Sequence, residues 1–383
     1  MPLSKKANKN NLSFRERIKP RKINFRHYFG GAAFVLILVQ LITGLYMIFY
    51  YEPALRETYK TVQYFNNETL LGALTRNIHR YSAFFLTLAA FFHLWRGYFR
   101  RGYQGGRKWN WITGVFLSLL ILAFLISGTV LPWEWKAYWM MEMTNNWLQN
   151  IPIFGDRLYT FFMTAYTPTR NFVIHSIMLP ILAFILLEIH CLSRLKSRGF
   201  ADYIIRQTLA AIPLIIAIVS LSFFHPIPTE DPEIIPLPME GLYVPAPEWY
   251  FVTFLLPYWY FPPREWTIYL FWIPFLFFLV ILALPFFNKR KSKKDLTTIP
   301  EKRRKWMSIG YTVTGSLVAG LLLIVLLWGS VESPWKGCNS CHNVSMGIRM
   351  GIPPVTYKDT NRNPLLLDKR WMMRHWYEPQ VVW

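Results

Sequence analysis

The chain has 383 residues, 53% of them hydrophobic and 18% aromatic, and several apolar runs reach the length needed to cross a bilayer. That composition excludes an ordinary soluble domain and predicts an all-α, polytopic membrane protein in contact with the lipid bilayer. The net charge of +21 would suit nucleic acid, but the basic residues cluster in short segments between apolar runs. This is the positive-inside pattern, so no nucleic-acid partner is expected.

Residues 1–27 are polar and basic and read as a cytoplasmic segment. They lead into a full-length span with no small-residue cleavage site, unlike a signal peptide. Seven spans follow, at roughly 28–50, 79–100, 111–131, 172–192, 204–225, 266–287 and 306–329. The loops RRGYQGGRK, SRLKSRG and NKRKSKK…EKRRK follow spans two, four and six. Together with the basic N-terminus they belong on the cytoplasmic side. The other loops carry acid, Pro and Trp and face outward. Residues 132–170 are too long for a plain connection and predict short surface helices around Trp135–Gln149 and Asp156–Tyr166. Residues 226–265 form a second long, Pro-rich outer segment. No internal repeat stands out.

The chemistry begins with four histidines in two apolar spans. His79 and His93 are fourteen residues apart, His175 and His190 fifteen. At about 100° and 1.5 Å per residue, each pair falls within roughly 60° of one helix face, about 21–23 Å apart along the axis. Polar residues at membrane depth are costly and usually functional. Spans two and four run in the same direction, so His79 pairs with His175 near the outer face and His93 with His190 near the inner face. That geometry suits two stacked haems, each held by two imidazoles. Span one carries Gly30 and Gly44, and span three Gly114 and Gly128, both at a spacing of fourteen. Gly30 and Gly114 fall at the depth of the inner pair, Gly44 and Gly128 at that of the outer pair. A porphyrin wedged between helices needs close backbone approach, which glycine permits. Small residues also serve tight helix packing. Arg76, Arg80 and Arg96 flank the histidines. Arginine suits haem propionates, and Arg96 taken alone reads as a snorkelling helix end.

The stretches NIHRYSAFFLTLAAFFHLWRGY, TVLPWEWKAYW, TRNFVIHSIMLPILAFILLEIH and PAPEWYF resemble cytochrome b of the Rieske/cytochrome b (bc and b6f) quinol-oxidising complexes. The resemblance covers about residues 20–330. It implies a cytochrome b6-like four-helix di-haem domain at 28–200 and a subunit IV-like three-helix domain at 201–330, fused in one chain. It departs at Leu36, where b6 proteins carry the Cys that tethers an extra haem, so no covalent third haem is expected there. Pro247-Glu248-Trp249-Tyr250 matches the family's signature at the outer quinol-oxidising site. A carboxylate at the rim of an apolar pocket can accept a quinol proton and pass it toward water. Tyr138 and Trp139, with Tyr250, are expected to help close that pocket. An inner quinone-reducing site is implied near His190, with His27, Arg194, Lys196 and Asp202 as candidate proton donors.

Residues 331–383 carry Cys338-Asn339-Ser340-Cys341-His342. C-x-x-C-H is the attachment motif of a c-type haem, with thioethers from Cys338 and Cys341 and His342 as axial metal ligand. Zinc would need further ligands at suitable spacing. Seven spans place this segment outside, where c-type haem is attached. Met346, Met350, Met372, Met373, His375 or a residue of another subunit are the candidates for the sixth ligand. A tail of this size buries little apolar surface alone and is expected to pack on partner subunits. With only three cysteines no disulfide framework is expected, and Cys191, beside a ligand, reads as a packing residue.

The resulting expectation is quinol oxidation at the outer face of a bacterial-type cytoplasmic membrane. One electron goes to a separate Rieske iron–sulfur protein and the other crosses two b haems to an inner quinone site, with proton translocation. Cytochrome c-type subunits and a homodimeric complex are implied by the resemblance. A di-haem membrane anchor of a dehydrogenase or hydrogenase remains as one alternative, against which the Pro247-Glu248-Trp249-Tyr250 stretch and the two-by-two histidine pattern count; a non-redox transporter or scaffold is a second, which a haem spectrum decides.

Overall fold

The computed structural model describes residues 28–54, 57–99, 102–104, 108–162, 166–227, 257, 261 and 263–287, and positions 306, 309, 313, 317, 320, 321 and 324. Among the described residues every regular element is helical. The elements are α1 (Tyr28–Ile48), α2 (Thr58–Glu68), α3 (Gly72–Phe99), α4 (Lys108–Val130), α5 (Trp135–Leu148), α6 (Gly155–Phe162), α7 (Thr167–Leu192), α8 (Ser193–Arg198), α9 (Phe200–Phe224) and α10 (Ile268–Phe287). Five of them, α1, α4, α7, α9 and α10, are long and apolar enough to span a membrane. The protein is therefore a multi-pass helical membrane protein. The second expected span, α3, is a 28-residue helix whose hydropathy is diluted by Arg76, His79, Arg80, His93 and Arg96. Only isolated positions of the seventh expected span are described, all helical, and residues 331–383 lie outside the described residues.

Helix α3 starts at Gly72, earlier than its apolar run, because polar partners sustain the extra turns. Asn77 is buried; its Nδ2 donates to Ser222 O at 3.2 Å, and its Oδ1 accepts from the Ile227 amide at 3.2 Å. Tyr81 donates from its hydroxyl to His225 O at 2.7 Å. These bonds fasten the outer end of α9 to α3. Helix α7 likewise starts early, at Thr167, with Pro168 in its first turn, where a missing amide hydrogen costs nothing. The surface helices α5 and α6 form where the long outer connection was expected to fold. Helix α2 was not anticipated; it buries Thr58 and Phe65 against the bundle. Beside it, Tyr51 donates to Leu131 O at 2.7 Å, and burial pushes its phenol above the usual range.

Helix α1 packs along α3 and α4 along α7, and α3 and α4 join the two pairs. Helix α9 covers α1 and α3, with Leu36, Leu86 and Ile218 forming a buried cluster where the three meet. Leu36, at the position where b6 proteins carry a cysteine, is fully enclosed there. Helix α10 lies against α4, where Trp111 and Val115 pack on Phe278 and Ile281. The Trp111 indole donates to Ile281 O at 2.8 Å, satisfying a buried N–H that lipid could not.

Candidate functional site

The four histidines meet across the bundle in two pairs. The rings of His79 (α3) and His175 (α7) have centres 6.5 Å apart, and those of His93 and His190 are 6.1 Å apart. This is the pairing expected from the spacing, and it makes α3 and α7 run parallel. The fit to a metal can be tested on distance alone. Two metal–imidazole bonds of about 2.0 Å, with each ring centre about 1.1 Å behind its nitrogen, put the centres about 6.2 Å apart. Both pairs lie within a few tenths of an ångström of that value. A haem iron between each pair therefore fits the donor set and its separation.

The glycines sit where the sequence placed them, but the group nearest each is an imidazole. A Cβ built on Gly30 would lie 2.7 Å from His93 Cε1, and one on Gly44 3.3 Å from His79 Cε1. On Gly114 it would lie 3.0 Å from His190 Cε1, and on Gly128 2.9 Å from His175 Cε1. The sequence reading assigned this space to a porphyrin; in the fold the histidine ring itself takes it. The glycine-bearing helices α1 and α4 thus run antiparallel to the histidine-bearing helices they cover.

Sequence reasoning missed the residues immediately before three of these glycines. Thr43 Oγ1 lies 2.8 Å from His79 Nδ1, Ser127 Oγ 2.9 Å from His175 Nδ1, and Thr113 Oγ1 3.2 Å from His190 Nδ1. Three residues before each threonine, an amide grips the main chain of the same histidine. Gln40 Nε2 donates to His79 O at 2.6 Å, and Asn110 Nδ2 donates to His190 O at 2.5 Å. On the third site Asn171 Nδ2 donates instead to Ser127 O, at 2.6 Å. The signal was present as QLITG, NWITG and FLISG at 40–44, 110–114 and 124–128. It is a short repeat that a search for domain-sized repeats overlooks.

The unequal histidine spacing also has a structural cause. Helix α7 contains two π-helical turns, Ile174–Met178 around His175 and Glu188–Leu192 around His190. In each, an amide bonds five residues back, from Leu179 to Ile174 O and from Ser193 to Glu188 O. A π turn absorbs one extra residue, so the fifteen-residue spacing keeps the register that fourteen gives in α3. Such turns concentrate at functional sites.

Arg76 and Arg80, expected at propionates, converge on Glu134 in the buried turn before α5. Arg76 approaches Glu134 Oε2 at 3.5 Å and Arg80 approaches Oε1 at 3.8 Å. Trp133, with φ of 49°, makes the turn that carries Glu134 inward. Tyr138 lies on the backbone of α5, and its side chain, like that of Trp139, is outside the described residues. Glu248, Tyr250, Cys338, Cys341, His342 and His27 also lie outside them. Of the inner-site candidates, Lys196 pairs with Glu188 at 2.9 Å and Asp202 pairs with Arg206. The side chain of Arg194 is outside the described residues.

The family described as Cytochrome b/b6/petB matches residues 14–198. The chain is 34% identical over 187 residues to cytochrome b6 of Synechocystis sp., covering 48% of this chain and 84% of that protein. It is also 34% identical to cytochrome b6 of Cyanidium caldarium, covering 48% of this chain and 86% of that protein. Among solved structures, "Hyperthermophilic respiratory Complex III" aligns with a TM-score of 0.57 at 22% identity, covering 84% of this chain and 94% of that one. At that identity the likeness is one of fold.

Proposed function

This chain belongs to the cytochrome b/b6 family, and from that premise we propose that it is the quinol-oxidising, di-haem subunit of a bc-type membrane complex. The family implies b haems. The observation that carries the assignment of their ligands is the pair of facing imidazoles at 6.5 and 6.1 Å. His79 and His175 would hold one haem and His93 and His190 the other, with Gly30, Gly44, Gly114 and Gly128 giving the rings room. When bound, the two haems supply one-electron redox chemistry at two depths of the membrane.

Quinol oxidation releases two electrons and two protons, so the outer site needs a proton acceptor. Glu248 has the chemistry for it, and Tyr138 and Tyr250 are the residues proposed to close the pocket around it. Arg76 and Arg80 keep positive charge near the outer imidazole pair, where they favour an anionic group. One electron acceptor is a Rieske protein on another chain. With Cys338 and Cys341 taken by a C-terminal haem c, this chain has too few cysteines for an iron–sulfur cluster. The second electron is proposed to reach an inner quinone site, with protons released outside and taken up inside.

Purified complex should show two b-type signals and one c-type signal in redox difference spectra. Loss of b-type signal from the wild type would remove the assignment. Glu248→Gln should slow quinol oxidation at least tenfold while leaving both b-type spectra unchanged. Unaltered turnover would show that the proton leaves by another group. A di-haem anchor would share the b spectra but oxidise no quinol on its own outer face.

A further inference from the structure

We propose that Thr43, Thr113 and Ser127 are positioning residues that fix the ring tautomer of His79, His190 and His175 and thereby tune the redox potential at each site. The inference rests on the ligand assignment above and follows from counting one proton. Each hydroxyl carries a single hydrogen. Thr43 Oγ1 lies 2.7 Å from Val39 O, Thr113 Oγ1 2.7 Å from Trp109 O, and Ser127 Oγ 2.6 Å from Ala123 O. A carbonyl oxygen cannot donate, so at these distances the hydroxyl hydrogen must lie toward it. The hydroxyl oxygen is then an acceptor toward the imidazole. Each facing Nδ1 must therefore carry the ring's hydrogen, which leaves the lone pair on Nε2. A tautomer set in this way is assigned from the bonding network.

Hydroxyls that bond back to the preceding turn are common in apolar helices. Thr87, Ser118 and Thr129 do so here, to Ala83 O, Gly114 O and Leu125 O. What distinguishes Thr43, Thr113 and Ser127 is the second contact, to an imidazole nitrogen, from the position just before a glycine. The glycine lets the ring approach and the hydroxyl orients it. At His79 and His190 the Gln40 and Asn110 amides also hold the main chain of the histidine, so ring and backbone are fixed by one short segment. An acceptor on Nδ1–H raises the basicity of the opposite nitrogen and favours the higher oxidation state of a bound metal. Removing it should raise the midpoint potential.

The test uses the complete complex and potentiometric titration followed by optical and EPR spectra. Thr113→Val should raise the potential of the inner haem alone, with Thr113→Ser restoring it. Thr43→Val should raise that of the outer haem alone, and Ser127→Ala should raise it less, because the Phe124 carbonyl also accepts from the His175 ring. The expected change is about threefold in the reduced-to-oxidised ratio at fixed ambient potential, or about 28 mV at 59 mV per tenfold. Unshifted potentials, or equal shifts at both haems, would overturn the inference. Should a variant fail to assemble, ENDOR on the wild type in H2O and D2O reads the proton directly. A deuteron quadrupole coupling at Nδ1 lowered below that of an unbonded imidazole N–D supports the hydroxyl contacts, and an unbonded value overturns them. A wild-type complex without low-spin bis-imidazole signals would sink the ligand assignment instead. An intact signal with unmoved potentials sinks only the role of the hydroxyls.

Discussion

Four glycines face four imidazoles at graded clearances, and the grading makes a prediction. The built Cβ is closest at Gly30, 2.7 Å from His93, and most distant at Gly44, 3.3 Å from His79. A ligand ring cannot yield as the end of a flexible chain does. In the proposed di-haem site it would be held by the metal on one side and, at three of the sites, it is held by a hydroxyl on the other. Gly44→Ala should therefore retain both b haems. Gly30→Ala should lose at least half of the inner haem, and Gly128→Ala, at 2.9 Å, a comparable share of the outer one. Pyridine haemochrome content per mole of purified complex measures this. Equal retention in all three variants would mean that the rings shift freely and that the glycines serve packing alone. The same residues show how far a sequence can be read. Depth follows from counting along a helix, so the glycines were found. The hydroxyls beside them were not, because Thr43 or Ser127 in an apolar run looks like any helix-satisfied hydroxyl until the partner ring is in place.

The helices show a similar division. Five of the seven expected spans are long, apolar helices in the fold, and the direction of α7 relative to α3 was legible from the histidine pairing. The start of α3 was not, since Arg76 and Asn77 stand outside any apolar run and are stabilised by partners far away in sequence, Glu134 and Ser222. The π turns of α7 were hidden for another reason. No residue type specifies them, and only the odd spacing of fifteen hints at them. If the Ile174–Met178 turn absorbs the extra residue, deleting Ile177 should convert it to a regular α turn and leave His175 and His190 on one face. Deleting Leu86 from α3, which has no π turn, should rotate His79 about 100° away from His93. The first deletion is expected to keep both b haems at reduced stability. The second is expected to lose one. Loss of haem in both, measured by the b-type absorbance of purified complex, would show that α7 tolerates no change of length and that its wide turns do another job.

Across the whole molecule, the parallel course of α3 and α7 brings the inner imidazole pair and the basic segments after both helices to the same end of the bundle. The charge pattern likewise groups those segments on one side of the membrane. It also puts the ends of α4 and α9, and the turn carrying Glu134, at the opposite end, where quinol oxidation is proposed. The C-terminal C-x-x-C-H segment belongs with that outer end if seven spans precede it, and there it would serve as an exit for electrons rather than as part of the di-haem bundle. The two functions should then separate. The proposed b-haem ligands all come from α3 and α7, and the glycine and hydroxyl contacts to them from α1 and α4, so among the described residues the di-haem site is built within one bundle. Replacing Cys338 and Cys341 by alanine should abolish the c-type band and the haem-stained covalent band on a denaturing gel, while both b-type signals keep their amplitude and potential. Quinol should still reduce the b haems in the variant, but electron delivery to a soluble acceptor should fall. A covalent haem that survives the double replacement would exclude these cysteines as its attachment. A loss of b-type signal along with it would mean that the tail helps to build the bundle, and that the two parts are a single structural unit.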